Sequence, residues 1–218
     1  AASVVNNIYF DGQIPEVLVI GVDWVDTSPN LNAVRWRDLS PVDYPGGNMI
    51  GRAADFANVL ADDVIPQLQQ RLRANEQVYL WGGSLGGDFA TYALLKRPDA
   101  FDGAVAVGGS HGNSKAIYEE LLQSYKGTNA FVDKRVYLGV GDLDGAAPDV
   151  IDLAKRLEAA QLAGLKVKLD VQPGYGHSGI NVIGFAAGYR YLFERPNIAL
   201  SQQQLKTLEG TYQPLNGS

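Results

Sequence analysis

The hydrophobic pattern of the chain alternates between two kinds of apolar segment. Short continuous apolar runs, typical of strands buried on both faces of a parallel sheet, occur five times. Between them, apolar residues recur at the spacing of helices that bury one face. The predicted strands are 17–22, 78–81, 103–108, 135–141 and 165–171. This alternation predicts an α/β fold with a mostly parallel sheet and helices on both faces.

Helical spacing is clearest in five segments, and a weak helical pattern also covers residues 1–11. Pro66 lies inside the longest of them, where a proline kinks or divides a helix. The segment 35–41 combines arginines, a tryptophan and a proline, and we predict a loop there. The predicted helices are 51–73, 88–95, 116–125, 148–163 and 181–193.

Gly82-Gly83-Ser84-Leu85-Gly86 lies between a predicted strand and a predicted helix. Gly-x-Ser-x-Gly in this context predicts a nucleophile elbow, in which the serine occupies a strained turn at the sheet edge. Gly82 and Gly86 lack Cβ atoms, so we expect both to permit the sharp turn and the close approach of the helix. The first N–H groups of that helix would face a developing oxyanion.

Ligands of parallel sheets bind at the carboxyl ends of the strands. Acyl transfer by a serine needs a base and an acid that orients it, and in this architecture the chain order is Ser, acid, His. Ser84, Asp144 and His177 follow that order, and each comes just after a predicted strand. His111 precedes the acid, so we predict that it lines the substrate cleft instead.

Two carboxylates, Asp142 and Asp144, follow the same strand. The orienting carboxylate usually lies a few residues beyond the strand end, which favours Asp144 and leaves Asp142 as the alternative. An Asp-x-Asp-Gly run is also typical of calcium loops, but position 12 of such a loop would be Leu153 rather than Glu. We therefore predict no metal site and no cofactor.

Composition narrows the possible partners. The 218 residues carry a formal net charge of −6, which argues against nucleic acid or an anionic membrane surface as the main partner. No apolar run approaches the roughly 20 residues of a membrane span. The absence of cysteine excludes disulfides and thiolate nucleophiles, and is compatible with either side of a membrane.

These motifs resemble the branch of the α/β-hydrolases that contains esterase D, siderophore esterases and mycolyltransferases. The resemblance runs from about Ile14 to Pro196, and includes the Arg-x-Arg-Asp-Leu-x-Pro pattern of 35–41. It also includes the elbow, the segment 97–103 and the Gly-His-Ser at 176–178. One departure is Gly109-Ser110-His111-Gly112, where many members carry Ser-Pro-Ser and an aromatic residue.

The resemblance implies Ser84 as nucleophile and His177 as base, with an acid in a Gly-x-x-Asp pattern that Asp144 fits. It implies the Leu85 N–H as one oxyanion donor. Arg35 and Arg37 are candidates to bind an anionic group of the substrate, and the alternative is that their segment forms a structural salt bridge with Asp38.

Family members have strands before the position of Ile14, so we expect residues 1–200 to be an N-terminally incomplete hydrolase domain. Residues 201–218 resemble the start of an appended β domain, because Gly-Thr-Tyr at 210–212 is typical of a strand opening. The chain is therefore expected to be an interior piece of a longer protein.

The function predicted from the sequence is a serine carboxylic-ester hydrolase that acts on a siderophore-like or small acyl ester. One alternative is a member of the same fold that binds without catalysis. A second is nucleotide binding at the Gly139-x-Gly141 turn, which the carboxylates of that turn disfavour.

Overall fold

Four parallel strands form the sheet in a computed structural model that describes residues 2–24, 30–47, 49–194, 201–207 and 209–210. The strands lie in chain order, and each pairs in register with the next. All four carboxyl ends therefore meet at one edge of the sheet. The strands are β1 (Tyr79–Gly83), β2 (Gly103–Val107), β3 (Arg135–Gly141) and β4 (Lys166–Gln172).

The helices between and around these strands confirm the predicted α/β alternation. The nine α-helices in the described residues are α1 (Ala2–Phe10), α2 (Leu31–Leu39), α3 (Ala53–Val59), α4 (Ile65–Leu72), α5 (Leu85–Lys96), α6 (Lys115–Ser124), α7 (Ala147–Ala160), α8 (Ile180–Leu192) and α9 (Gln202–Thr207).

The β2 strand shows how the sheet is covered on both faces. Ala104 and Ala106 face the cluster that contains α3, α5, α6 and α7. Val105 and Val107 belong to a second cluster with α8. A methyl group added at Gly188 of α8 would overlap Val105, so the glycine lets this helix lie close to the strand. Helices thus cover both faces, as the sequence predicts.

Pro66 divides the long helix, as predicted, and the division falls just before it. A π-helical turn at Leu60–Val64 separates α3 from α4. The Ile65 N–H reaches back five residues to the Leu60 carbonyl. A wider turn relieves the contact between a proline ring and the preceding carbonyl groups.

The predicted strand at 17–22 is wrong. The segment has no strand hydrogen bonds, and four of its side chains, those of Leu18, Val19, Ile20 and Val22, are about half exposed. A buried strand needs a neighbour along its edge, and β1 pairs only with β2 within the described residues. The predicted loop at 35–41 is also wrong in its first part, because α2 continues to Leu39.

The predicted β domain at the C-terminus lies mostly outside the described residues. Within the tail, α9 covers 202–207, and the Gly-Thr-Tyr segment beyond Gly210 is not among the described positions. The boundary at residue 200 therefore stays a prediction. None of the helices described is long and apolar enough to cross a bilayer.

Replacing Gly188 by alanine tests the close packing of α8 on β2. We expect Gly188→Ala to lower the free energy of unfolding by about 1–3 kcal/mol, because the added methyl group overlaps a buried valine. Gly21→Ala is the control, since nothing lies within 4 Å of a Cβ there. Urea denaturation measures both, and equal midpoints would contradict the packing.

Candidate active site

Ser84 occupies the turn between β1 and α5 with backbone angles that L-residues rarely adopt. Its φ is +55° and its ψ is −125°. Two hydrogen bonds, one to the end of β2 and one to the loop after it, hold this strained conformation: the Ser84 N–H donates to the Val107 carbonyl at 2.9 Å, and the Ser110 N–H donates to the Ser84 carbonyl at 3.2 Å. The geometry is that of a nucleophile elbow.

Of Gly82 and Gly86, the two glycines expected to permit the turn and the close helix, the structure requires a glycine only at Gly82. A Cβ at Gly82 would overlap the Gly86 carbonyl, so the turn requires glycine there. Nothing lies within 4 Å of a Cβ at Gly86, and the expectation that Gly86 permits close packing is wrong. Gly87 has that role, because its Cβ would lie 3.2 Å from the Gly109 Cα.

His177 lies in the loop after β4, and its Nδ1 is 2.8 Å from Asp144 Oδ2. The other carboxylate oxygen of Asp144 accepts a hydrogen bond from the Ala146 N–H at 2.9 Å, and this side chain is only 3% exposed. Asp142 instead accepts from the Gly174 N–H at 2.7 Å. The structure thus pairs the histidine with Asp144, and Asp142 holds the backbone of the same loop.

The loop after β2 brings the serine and the histidine to one place. Gly108 has a φ of +55°, and a Cβ there would lie 3.1 Å from Asp144 Oδ2 and 3.3 Å from His177 Nδ1. Ser110, two residues further, has its Oγ 3.4 Å from Ser84 Oγ. Ser84 and His177 are both described, and no hydrogen bond joins their side chains in this conformation.

The Leu85 N–H begins α5 directly after the serine. Within the described residues it has no backbone acceptor, whereas the Gly87 and Asp88 N–H groups donate to the Ser84 carbonyl. A free N–H at a helix N-terminus can bind an oxyanion.

The two arginines predicted to bind substrate lie on α2. Arg37 Nε is 2.6 Å from Asp38 Oδ1, and the Trp24 indole N–H donates to the other oxygen of that carboxylate. Hydrogen bonding to Asp38 raises the pKa of Arg37 above its ordinary value. Arg37 therefore forms the structural salt bridge that was the alternative. No described contact joins Arg35 to Ser84, and its role stays a prediction.

His111 does not line the cleft, and that prediction is wrong. Its side chain is 1% exposed, and its Nδ1 lies 3.0 Å from Asp88 Oδ1. Ser114 and Tyr118 also donate hydrogen bonds to the Asp88 carboxylate. Burial, followed by the proximity of Asp88, raises the pKa of Tyr118 well above its ordinary value, so the phenol remains a donor.

Asp88 was missed by sequence reasoning. An acidic residue in the first turn of a helix normally interacts with the helix dipole and solvent, so an aspartate there is not by itself a sign of burial. The one available signal was its position four residues after Ser84, inside a segment that is otherwise apolar.

The Gly139-x-Gly141 turn, which was the alternative site for a nucleotide, is covered by another part of the chain. A Cβ at Gly141 would overlap the Tyr175 carbonyl, so the backbone of the β4 loop occupies the space above this turn. The described residues also contain no group of three or more His, Cys, Asp and Glu side chains that could hold a metal ion.

Comparison with solved structures shows that this chain shares its fold with several of them. The BES protein from Bacillus cereus is 21% identical with a TM-score of 0.72, over 86% of this chain and 74% of that one. An IroE-like serine hydrolase from Shewanella oneidensis is 22% identical with a TM-score of 0.71, over 94% and 70%. The siderophore hydrolase EstA from Aspergillus nidulans is 17% identical with a TM-score of 0.69, over 88% and 76%.

The sheet, the strained serine and the Asp–His pair at one edge define a protein of the α/β-hydrolase type. No curated protein matches the chain in sequence. The chain belongs to the family described as "Putative esterase", whose model matches residues 1–179. It is a carboxylic ester hydrolase, as the sequence predicted.

Gly82→Ala tests the elbow geometry. The added methyl group overlaps the Gly86 carbonyl, so we expect the free energy of unfolding to fall by about 1–3 kcal/mol. Gly86→Ala adds the same methyl group to open space and should change stability by less than about 0.5 kcal/mol. Thermal and urea denaturation measure both variants; a larger loss for Gly86→Ala would refute this description of the turn.

Proposed function

We propose that this ester hydrolase works through an acyl-enzyme, with Ser84 as nucleophile, His177 as general base and Asp144 as the group that orients the imidazole. The observation that carries the proposal is the 2.8 Å contact between His177 Nδ1 and Asp144 Oδ2, next to a loop that also contacts the strained serine. Asp144 is almost completely buried, whereas the His177 side chain is 46% exposed. Asp144 thus holds the Nδ1 side of the His177 imidazole, and the exposed part of the side chain is accessible to a substrate.

In the first half of the reaction, Asp144 accepts the Nδ1–H of His177, which leaves the Nε2 lone pair free to act as base. The Ser84 hydroxyl turns from Ser110 towards His177 and transfers its proton to Nε2 as Oγ attacks the acyl carbon. Rotation of a side chain is fast, and catalytic hydrogen bonds are often unformed before substrate binds. The ester C–O bond then breaks, and the imidazolium returns the proton to the leaving alcohol.

In the second half, water attacks the acyl-enzyme while His177 accepts its proton, and the acid and free Ser84 are released. Each half passes through a tetrahedral oxyanion. The Leu85 N–H is positioned to stabilise it, because it begins α5 and has no backbone acceptor in the described structure.

For the substrate, we propose a siderophore-like ester, with a small acyl ester as the alternative. The proposal is supported by the structural neighbours, which include a siderophore hydrolase and an enterobactin esterase. The exposed His177 agrees with a site that admits a large ester.

Ser84→Ala removes the proposed nucleophile. We expect hydrolysis of p-nitrophenyl acetate to fall at least about a thousandfold, because only the oxyanion site and binding remain. Labelling by a fluorophosphonate probe should disappear as well. Circular dichroism checks that the variant is folded. Retained turnover would remove Ser84 from the mechanism, and an inactive, unlabelled wild type would identify a member that binds without catalysis.

The wild type and Ser84→Ala also distinguish a siderophore-like ester from a small acyl ester as the substrate. Incubation with enterobactin, followed by chromatography of the products, should show cleavage that depends on Ser84. If only p-nitrophenyl acetate is cleaved, the small acyl ester is the better description.

Asp142 and Asp144 can be replaced in parallel to test which of the two carboxylates orients His177. We expect Asp144→Asn to lower kcat by roughly 10⁴, because an amide facing Nδ1 favours the wrong imidazole tautomer. Asp142→Asn keeps an oxygen that can accept from the Gly174 N–H, so its kcat should stay within about threefold of wild type. Steady-state kinetics on p-nitrophenyl acetate measures both; the opposite ranking would assign the acid to Asp142.

A further inference from the structure

A buried polar cluster lies beneath the first turn of α5, and the proposed mechanism does not use it. Its members are at most 1% exposed. Three side chains point their donors at one carboxylate: His111 Nδ1 lies 3.0 Å from Asp88 Oδ1, Ser114 Oγ 2.7 Å from Oδ2, and Tyr118 Oη 2.7 Å from Oδ1. A carboxylate with this many donors is satisfied as an anion without any cation.

The opposite side of the His111 ring has no polar partner. Its Nε2 is buried and makes no hydrogen bond. In a neutral imidazole whose Nδ1–H donates to Asp88, Nε2 is an acceptor, and this nitrogen has no donor to pair with. The ring edge that carries Nε2 lies against Gly109, because a Cβ at that position would overlap it.

Gly109 is also close to α5. The His111 ring occupies the place of a Gly109 Cβ, and a Cβ added at Gly87 of α5 would lie 3.2 Å from the Gly109 Cα. The residues on either side of Gly109 contact the proposed catalytic groups. Gly108 lies against Asp144 and His177, and Ser110 lies against Ser84.

We propose that His111 is a positioning residue: anchored on Asp88, its ring clamps the 108–110 loop between itself and α5, and so fixes Ser110 against Ser84 and Gly108 against His177. The catalytic consequence rests on the proposed function, whereas the clamp itself is a property of the fold. A loop with two glycines has little stiffness of its own, since glycine restricts the backbone least.

If His111 holds the 108–110 loop in this way, the exchange rate of the Ser110 amide depends on the His111 side chain. The Ser110 N–H donates to the Ser84 carbonyl at 3.2 Å, and this hydrogen bond breaks whenever the loop moves away from the elbow. Its amide exchange rate therefore reports how firmly the loop is held. Exchange does not depend on turnover, so it tests the clamp even in a protein without measurable activity.

The central variant is His111→Asn. Asparagine keeps an N–H near the position of Nδ1 for Asp88, which protects the fold, but it lacks the ring edge over Gly109. We expect the Ser110 amide to exchange about tenfold faster or more by NMR. We also expect kcat on p-nitrophenyl acetate to fall about tenfold with KM unchanged, because only the alignment of reacting groups is lost.

Ser114→Ala is the matched control. It removes another donor from the same carboxylate and leaves the His111 ring over Gly109. It should lower stability without changing Ser110 exchange or the kcat of the folded protein. His111→Phe tests the anchor, since it keeps a ring but loses the hydrogen bond to Asp88; it should also speed Ser110 exchange.

Unchanged Ser110 exchange in His111→Asn would overturn the clamp, and so would an equal increase in Ser114→Ala. Faster exchange with unchanged kcat would overturn the catalytic consequence. If the wild type shows no turnover that depends on Ser84, the proposed function fails, while the exchange comparison still decides whether His111 holds the loop.

Discussion

Parallel pairing of the four strands is the constraint on which the rest of the structure depends. Because neighbouring strands run the same way and in register, every segment that follows a strand begins at the same edge. Ser84 follows β1, the 108–110 loop follows β2, Asp144 follows β3 and His177 follows β4. Segments that lie far apart in the chain therefore leave the sheet at the same edge.

The sheet also maintains the strain at the serine. A non-glycine residue at φ +55° costs free energy, and the Val107 carbonyl and the Ser110 N–H, both from the neighbouring strand and its loop, offset that cost. The 108–110 loop thus has two contacts that matter for chemistry, one with the elbow and one with the Asp144–His177 pair. Its position links Ser84 to His177, the nucleophile and the base of the proposed mechanism.

The sequence predicted those features that depend on local pattern. Helix spacing, Pro66 and the Gly-x-Ser-x-Gly turn are local, and the structure shows each of them where expected. The strand at 17–22 failed because an apolar run carries no information about whether a neighbouring edge is present. His111 was misplaced for a similar reason: its partner Asp88 lies 23 residues earlier and is brought near only by the packing of α5 against the 3₁₀ turn His111–Ser114.

The most direct test of the account is a crystal structure of the protein after reaction with an aryl phosphonate. The account predicts phosphorus bonded to Ser84 Oγ, a phosphonyl oxygen at hydrogen-bond distance from the Leu85 N–H, and His177 Nε2 within about 2.6–3.2 Å of Ser84 Oγ. A phosphonate on another residue would contradict it. So would an imidazole too far from Ser84 for even one bridging water.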